Sequence, residues 1–422
     1  MSTPTSGRRA ALVFIFVTVL VDILAFGLII PVLPHLVEDL AGGSVSEAAH
    51  WTGIFSTTFA LIQFVTSPIQ GALSDRYGRR PVILASCIGL GADFVLMAIA
   101  PTLGWLFVGR VLSAITSASF TTANAYIADV TPPEERAQAF GMIGAAFGLG
   151  FILGPALGGF LGGIDLRLPF WFAAVLATVN FAYGLFVLPE SLSPDKRSKS
   201  ITWSSLNPFA SLVFFARHKN ILGLAVVVFL YNLAHYVYPS VFVLFAEERF
   251  AWGPQEVGWT LGVVGIFSVL AQVFIVKRVV GALGERNAIV FGSLCGAVGF
   301  AIYGLASTPM LFLAGIPVMA LWGVSSPATQ SLITRQVAAD EQGRTQGALS
   351  SLASLTGILG PGLYTTIFAY AISPATPVYA PGAPFVVASA LVVLALIAAI
   401  VFAPRADRLG SGQAPTDPAI HP

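Results

Sequence analysis

Twelve apolar stretches, each about the length of a bilayer-spanning helix and separated by short polar breaks, fill this chain almost from end to end. A hydrocarbon core of about 30 Å takes roughly 20 helical residues. The predicted spans are 10–34, 50–72, 81–100, 103–127, 137–162 and 168–188, then 220–245, 255–276, 287–306, 309–331, 344–370 and 383–403. Helices are required because backbone exposed to lipid must satisfy its own hydrogen bonds, and no alternating pattern points to a barrel. With 56% hydrophobic and 10% charged residues among 422, no single soluble core could absorb so much apolar surface. The basic opening "MSTPTSGRRAALVFIFVTVL" runs into its apolar stretch without a convincing cleavage site, so it reads as an uncleaved first helix. A net charge of +1 gives no reason to expect a nucleic acid partner, and Cys87 and Cys295 lie in apolar runs that suit neither a disulfide nor a metal cluster. No cofactor is expected.

Of the 21 Lys and Arg residues, all except Arg110, Arg167 and Arg249 fall on one side when the N-terminus is placed in the cytoplasm. Basic residues of short loops stay preferentially on that side. Both termini are therefore expected inside, in a cytoplasmic (inner) membrane. The halves also repeat at a shift of 206 residues: "ILGP" at 152–155 returns at 358–361, and Gly78, Arg80, Glu135 and Gly141 map onto Gly284, Arg286, Glu341 and Gly347. The expected organisation is an all-α integral membrane protein of two six-helix bundles, 1–190 and 220–404. A cytoplasmic linker, 191–219, carries a short amphipathic helix begun by Asn207 and Pro208, and the tail 405–422 is disordered. Two such repeats around a central cavity suit a secondary transporter working as a monomer.

The break "GALSDRYGRRPVIL" concentrates Asp75, Arg76, Arg79 and Arg80 between two apolar stretches. It resembles the loop signature between the second and third helices of the major facilitator superfamily. "VDILAFGLIIPVLPHL", "LFVGRVLSAITSASFTTANAYIADVTPPEERAQAFG" and "GAAFGLGFILGPALGG" are similar to the tetracycline efflux branch of that superfamily, with looser similarity in "VLFAEERFAWGPQEVGWTLG" and "LGERNAIVFG". The resemblance implies a major facilitator fold. It also implies that Gly71, Asp75, Gly78, Arg79 and Arg80 form a conformational latch, with Asp75 against the start of the eleventh helix near Gln342–Arg344, where unpaired amides favour a carboxylate. Arg79 and Arg80 would orient Asp75 or meet lipid phosphates. The plainer reading is that these charges only fix topology, and it accounts for Arg76.

Gly150, Gly154, Gly158 and Gly162 recur every fourth residue and form a smooth stripe on the fifth helix, along which a neighbouring backbone can approach. Pro155 bends that helix where the seal between halves opens, and Gly360 with Pro361 repeats the hinge on the eleventh. In the resemblance, this glycine run matches the antiporter signature and points to export.

Ionisable groups at bilayer depth are costly and mark function by default. Asp22 lies about twelve residues into the first helix, roughly 18 Å at the helical rise, near the midplane. Asp93 and Arg110 flank the turn at Pro101 at nearly equal distances, so an antiparallel hairpin lets them pair, as a structural clamp or as coupling machinery. The matching positions in the tetracycline family handle substrate and protons. Its His in helix eight and Asp in helix nine are here Ser268 and Gly296, which leaves coupling to Asp22, Asp93 and Arg110, with His235 in third place. Expected cavity residues are Asp22, Gln63, Asn124, Asn232, His235, Tyr236, Gln272, Trp322 and Gln330, with Tyr231 alongside; interhelical bonding is the alternative fate for about half. Aromatic surface with few charges suits a small amphipathic organic substrate. Proton-coupled export is the reading preferred, with tetracycline-like drugs as the family's substrates. A non-tetracycline multidrug exporter, or a symporter or facilitator for a metabolite such as a sugar, is the alternative. A membrane-embedded enzyme lacks its motif here: there is no GxSxG, phosphate loop or His-rich cluster. A channel or receptor would need no 206-residue repeat.

Overall fold

A computed structural model describes residues 5–116, 119–131, 136–198, 215, 219–337, 341–374 and 376–403. The proposed linker helix at Asn207 and the tail 405–422 lie outside the described residues. Every described element of regular structure is helical. In order these are α1 (Thr5–Ile29), α2 (Leu33–Leu40), α3 (Val45–Tyr77), α4 (Arg79–Ile99), α5 (Leu103–Thr116), α6 (Ser119–Val130), α7 (Arg136–Gly162) and α8 (Leu168–Val187). The second half holds α9 (Lys219–His235), α10 (Val237–Phe250), α11 (Pro254–Leu270), α12 (Val276–Leu305), α13 (Pro309–Ala320), α14 (Ser325–Arg335), α15 (Gln342–Ala371) and α16 (Ala383–Phe402). Nine of the described helical runs are long and apolar enough to span a membrane, ten if α1 and α2, bent by 42°, count together. The shorter α5 continues towards α6, and one run, Pro254–Leu305, holds two expected spans. Each of the twelve expected stretches is thus helical over most of its described residues, with a turn at 30–32 breaking the first.

The boundaries follow local chemistry. Ser44 and Thr308 cap α3 and α13 by accepting the backbone N–H of Glu47 and Leu311, both at 3.3 Å. Pro254 opens α11 while Glu256 reaches back to the Gly253 N–H at 3.0 Å. At the junction of α3 and α4, Gly78 adopts φ +106° and ψ 162°. Its repeat partner Gly284 adopts φ +74° and ψ 163° inside α12. Side chains rarely tolerate that conformation, so the same glycine at the same point of both halves records the internal repeat in the backbone. The paired arginines behave alike: Arg80 donates to the Leu185 carbonyl at 2.7 Å, and Arg286 to those of Ile400 and Ala403 at 2.8 and 3.1 Å.

Within each half the helices pack closely. In the second, Tyr303, Phe312, Phe385, Phe245 and Phe300 are fully or almost fully buried, with Tyr303 stacked on Phe312 at 4.2 Å. Between halves, α3 lies along α15 and α7 along α11. Both contacts are made towards the end of the molecule opposite the Arg-rich loops. There a Cβ on Gly53 would strike Thr365, one on Gly159 would fall 2.8 Å from the Gly258 Cα, and Gly162 sits beneath Pro254. Towards the Arg-rich end, Gly71 and Gly347 on the first pair and Gly144 and Gly148 on α7 face open space among the described residues. The halves therefore converge at one end and part at the other.

Candidate functional site

The parting encloses a cavity of about 430 Å³ between the halves. Asp22 on α1, Gln63 on α3 and Arg110 on α5 bring polar groups to its wall, and Tyr236, Ser240 and Pro361 face them from the second half. Phe26, Phe55, Phe59, Phe94, Phe147 and Phe151 add aromatic faces to a wall that is otherwise mainly aliphatic, Ile23, Ile30 and Leu90 among it. That volume and lining fit an organic molecule of drug size with a few fixed polar contacts.

Arg110 is the anchor of the wall. Its guanidinium donates to Asp93, which is 0% exposed, and its Cζ lies 5.4 Å from the centre of the Phe59 ring. Gly109 makes room for this: a Cβ there would stand 2.7 Å from the Asp93 Oδ1. Oδ1 of Asp93 and Nε of Arg110 have no hydrogen-bond partner among the described atoms, so the pair is closed on one edge only. The equal spacing around Pro101 predicts the pair, and the structure contains it. Nothing in the spacing announced Gly109 or Phe59. Behind Asp22, Thr18 donates to Asn180 at 3.2 Å and the Asn180 amide reaches Cys87 at 3.6 Å, a buried polar thread that sequence reasoning missed.

Several expected cavity residues lie elsewhere. Asn232 donates to the Val228 carbonyl of its own helix at 2.9 Å. His235 and Trp322 join an aromatic group with Tyr231, Tyr238 and Phe300; the His235 ring lies 5.5 Å from Tyr238 and 6.0 Å from Trp322. Gln272 is exposed on a five-residue π-turn, Ala271–Ile275, and Gln330 is half-buried outside the cavity wall. The side chain of Asn124 lies outside what is described. Gly296 is covered by Trp322, whose Cδ1 would stand 2.6 Å from a Cβ placed there. The glycine thus admits the indole, while Ser268 donates to its own helix at Val264, 2.8 Å away.

The glycine stripe admits a neighbouring backbone, as its spacing predicts, and that neighbour is α1. Gly150, Gly154 and Gly158 pack on Ile23, Gly27 and Leu28 of α1, inside their own half. The seam with the other half is carried one residue further round, where Gly159 meets Gly258 and the Gly258 position abuts the Pro155 carbonyl. On α15, Gly360 packs against Tyr236 at the break between α9 and α10, and Pro361 lines the cavity.

The charge knot at the Arg-rich end is assembled from the first half. Arg79 bridges Asp75 at 2.5 Å and Asp129 at 3.1 Å, and also reaches Ser74 at 3.1 Å. Glu190 accepts the N–H groups of Arg79 and Arg80 at 2.8 and 3.3 Å and lies directly over Gly78, where a Cβ would strike its carboxylate. Glu190 therefore caps α4 and supplies a second reason for glycine at 78. The Asp75 side chain is more than half exposed, and its carbonyl accepts from Ser198 N–H at 2.9 Å. The side chains at Gln342–Arg344 lie outside the described set. Asp129 and Glu190 were missed because each stands beside a different break, 50 and 111 residues from Arg79.

The profile of the Major Facilitator Superfamily matches residues 15–253 and 224–421. The chain is similar to the tetracycline resistance protein, class C, of Escherichia coli, at 39% identity over 86% of this chain and 91% of that one. The class B protein of Escherichia coli is 34% identical over 84% and 88%. Among solved structures, the human organic anion transporter MFSD10 superposes with a TM-score of 0.68, at 23% identity, over 94% of this chain and all of that one.

Proposed function

The chain belongs to the Major Facilitator Superfamily, and from that premise we propose that it is a proton-coupled exporter of small amphipathic organic compounds, tetracycline-like drugs among them. It is a multi-pass membrane transporter rather than an enzyme. The Arg-rich end is taken as cytoplasmic, in the inner membrane, so the state described opens inward. One observation carries the reading: Asp22 and Arg110 both face the largely apolar cavity between the halves, and the wall contributed by the second half brings no acid to it among the described residues. Coupling then rests on the first half. A substrate entering from the cytoplasm takes the Asp22 carboxylate as its polar partner and drives off the proton carried there. Once the halves tilt, Asp22 recovers a proton from the outer face as the substrate leaves. Arg110, held by Asp93 and Phe59, keeps a fixed positive charge at the wall that favours the ionised carboxylate. His235 and Asp93 are secondary carriers in this scheme, and the wall itself is Asp22, Gln63 and Tyr236.

Relatedness to tetracycline resistance proteins supports drug export over metabolite uptake. The test is uptake into inverted vesicles with tetracycline and a panel of cationic dyes, following substrate-induced proton release. Asp22→Asn is expected to cut concentrative uptake at least about tenfold while the amount of protein in the membrane stays the same. Undiminished uptake by that variant, or uptake running with the proton gradient, overturns the assignment.

The latch formed by Gly71, Asp75, Gly78, Arg79 and Arg80 belongs to the same cycle. In the inward-open state Asp75 is held by Arg79 alone among described side chains, and outward opening would carry it to the start of α15. Asp75→Asn is expected to slow turnover about tenfold with normal insertion and unchanged substrate affinity, the pattern of an interaction made only as the halves close. Wild-type turnover would leave the knot as a topology signal.

A further inference from the structure

At the end where the halves meet, beyond the cavity, three metal-ligating side chains from both halves converge. His35 and Glu38, one helical turn apart on α2, face Glu247 in the last turn of α10, and one ligand atom from each lies within 4.8 Å of the others. The closest approach, His35 Nδ1 to Glu247 Oε2, is 2.9 Å, and a Glu38 carboxylate oxygen stands within 4.8 Å of ligand atoms of both. His35 is nine-tenths buried, and its Nε2 has no hydrogen-bond partner. The remaining charges facing the group are again acidic: Asp39 and Glu248, the latter accepting from Tyr379 Oη at 2.7 Å. Arg249 is turned away to the Ala306 carbonyl at 3.2 Å.

We propose that His35, Glu38 and Glu247 form a divalent-cation site, suited to zinc, that staples the two halves together on their closed side. A plain ion pair between His35 and Glu247 accounts for one carboxylate. It leaves Glu38 pressed against Glu247 in a neighbourhood whose other charges are also negative, and it leaves a buried imidazole nitrogen without a partner. A doubly charged ion between them neutralises both carboxylates and, with the imidazole turned so that Nε2 becomes the ligand, gives that nitrogen its partner. Imidazole nitrogen and carboxylate oxygen are both zinc ligands, with bonds of about 2.0 to 2.2 Å, and three protein ligands leave the fourth position to water. Ligands so bound stand about 3.3 Å apart, a separation inside the range the three residues already span, so side-chain rotation alone closes the site. Because α2 belongs to one half and α10 to the other, the ion binds only when the outer rim is shut. It therefore opposes outward opening.

Binding does not depend on which compound is exported, so the test stands apart from the transport reading. Purified full-length protein in detergent is titrated with zinc ion alone, by calorimetry and by thermal unfolding. One equivalent is expected to bind and to raise Tm. Affinity is expected to fall at least about a hundredfold in His35→Gln and Glu247→Gln and about tenfold or more in Glu38→Gln, with magnesium showing no effect. In a protein carrying Cys87→Ser and Cys295→Ser, spin labels attached at Ser46→Cys and Ala369→Cys, across the same rim, read the conformer. At tenfold excess over Kd, zinc is expected to reduce the open-rim population about tenfold. Absence of binding, or equal affinity in the wild type and all three variants, overturns the site. Binding that leaves the label distances unchanged overturns the staple. If one glutamine variant fails to fold, the other two still decide the first question.

Discussion

Arg110→Ala is expected to lower the yield of folded protein sharply and to cost about 3 to 5 kcal/mol of stability, read as thermal unfolding in detergent. The penalty arises because Asp93 is wholly buried and Arg110 nearly so. Removing the guanidinium leaves a carboxylate with neither water nor counter-charge, and the contact with the Phe59 ring goes with it. The informative variant is the double one. Replacing both partners by apolar residues of similar volume, Asp93→Leu with Arg110→Met, removes the stranded charge and is expected to recover most of the folded protein. It also strips the cavity wall of its fixed positive charge. A folded double variant that no longer couples export to protons assigns the pair to coupling. A folded double variant that transports like the wild type reduces the pair to a clamp, and the carriers are then Asp22 and groups not yet considered.

The parts of this molecule that could be read from its sequence are those whose physics depends on position along the chain. A hydrocarbon slab sets helix length, so the twelve spans stand out; the repeat appears as a constant shift and returns as matched positive φ at Gly78 and Gly284. Asp93 and Arg110 were paired correctly because depth in a hairpin is simple arithmetic from the turn at Pro101. Rotation about a helix axis is another matter. In a soluble helix, the polar face marks the outside, whereas here lipid-facing and protein-facing sides are both apolar, so sequence carries almost no signal for which way a residue points. That is why Asn232, His235, Gln272, Trp322 and Gln330 were expected at a cavity wall that none of them reaches. For the same reason the glycine stripe predicts a close backbone neighbour without naming α1 as that neighbour. Contacts across the whole chain, such as Glu190 over Gly78 or His35 on Glu247, join residues 112 and 212 positions apart and leave no local trace.

The two glycine faces of α7 yield the second large effect, because they separate folding from switching. A Cβ at Gly154 would stand 2.8 Å from both the Gly27 Cα and the Leu24 carbonyl oxygen, inside the first half. A Cβ at Gly159 would stand 2.4 Å from the Pro254 carbonyl oxygen and 2.8 Å from the Gly258 Cα, across the seam. Both neighbours are backbone, so neither clash can be relieved by a rotamer change. Gly154→Leu must force α1 and α7 apart in every conformation, and folded protein is expected to fall severalfold. Gly159→Leu clashes only while the outer rim is closed. The two states of such a carrier differ by a few kcal/mol, so a wedge costing about as much is expected to move the population towards the outward-open form by about a hundredfold or more while leaving folded yield near wild type. With Cys87→Ser and Cys295→Ser in place, labelling of Ala156→Cys, which lies against Gly262 in the same seam, by a membrane-impermeant maleimide from the outer side should rise from slow to rapid. Equal loss of folded protein in both glycine variants, with the rim still protected from label, would mean that the α7–α11 seam is a permanent interface. The halves would then have to rock about α3 and α15 alone.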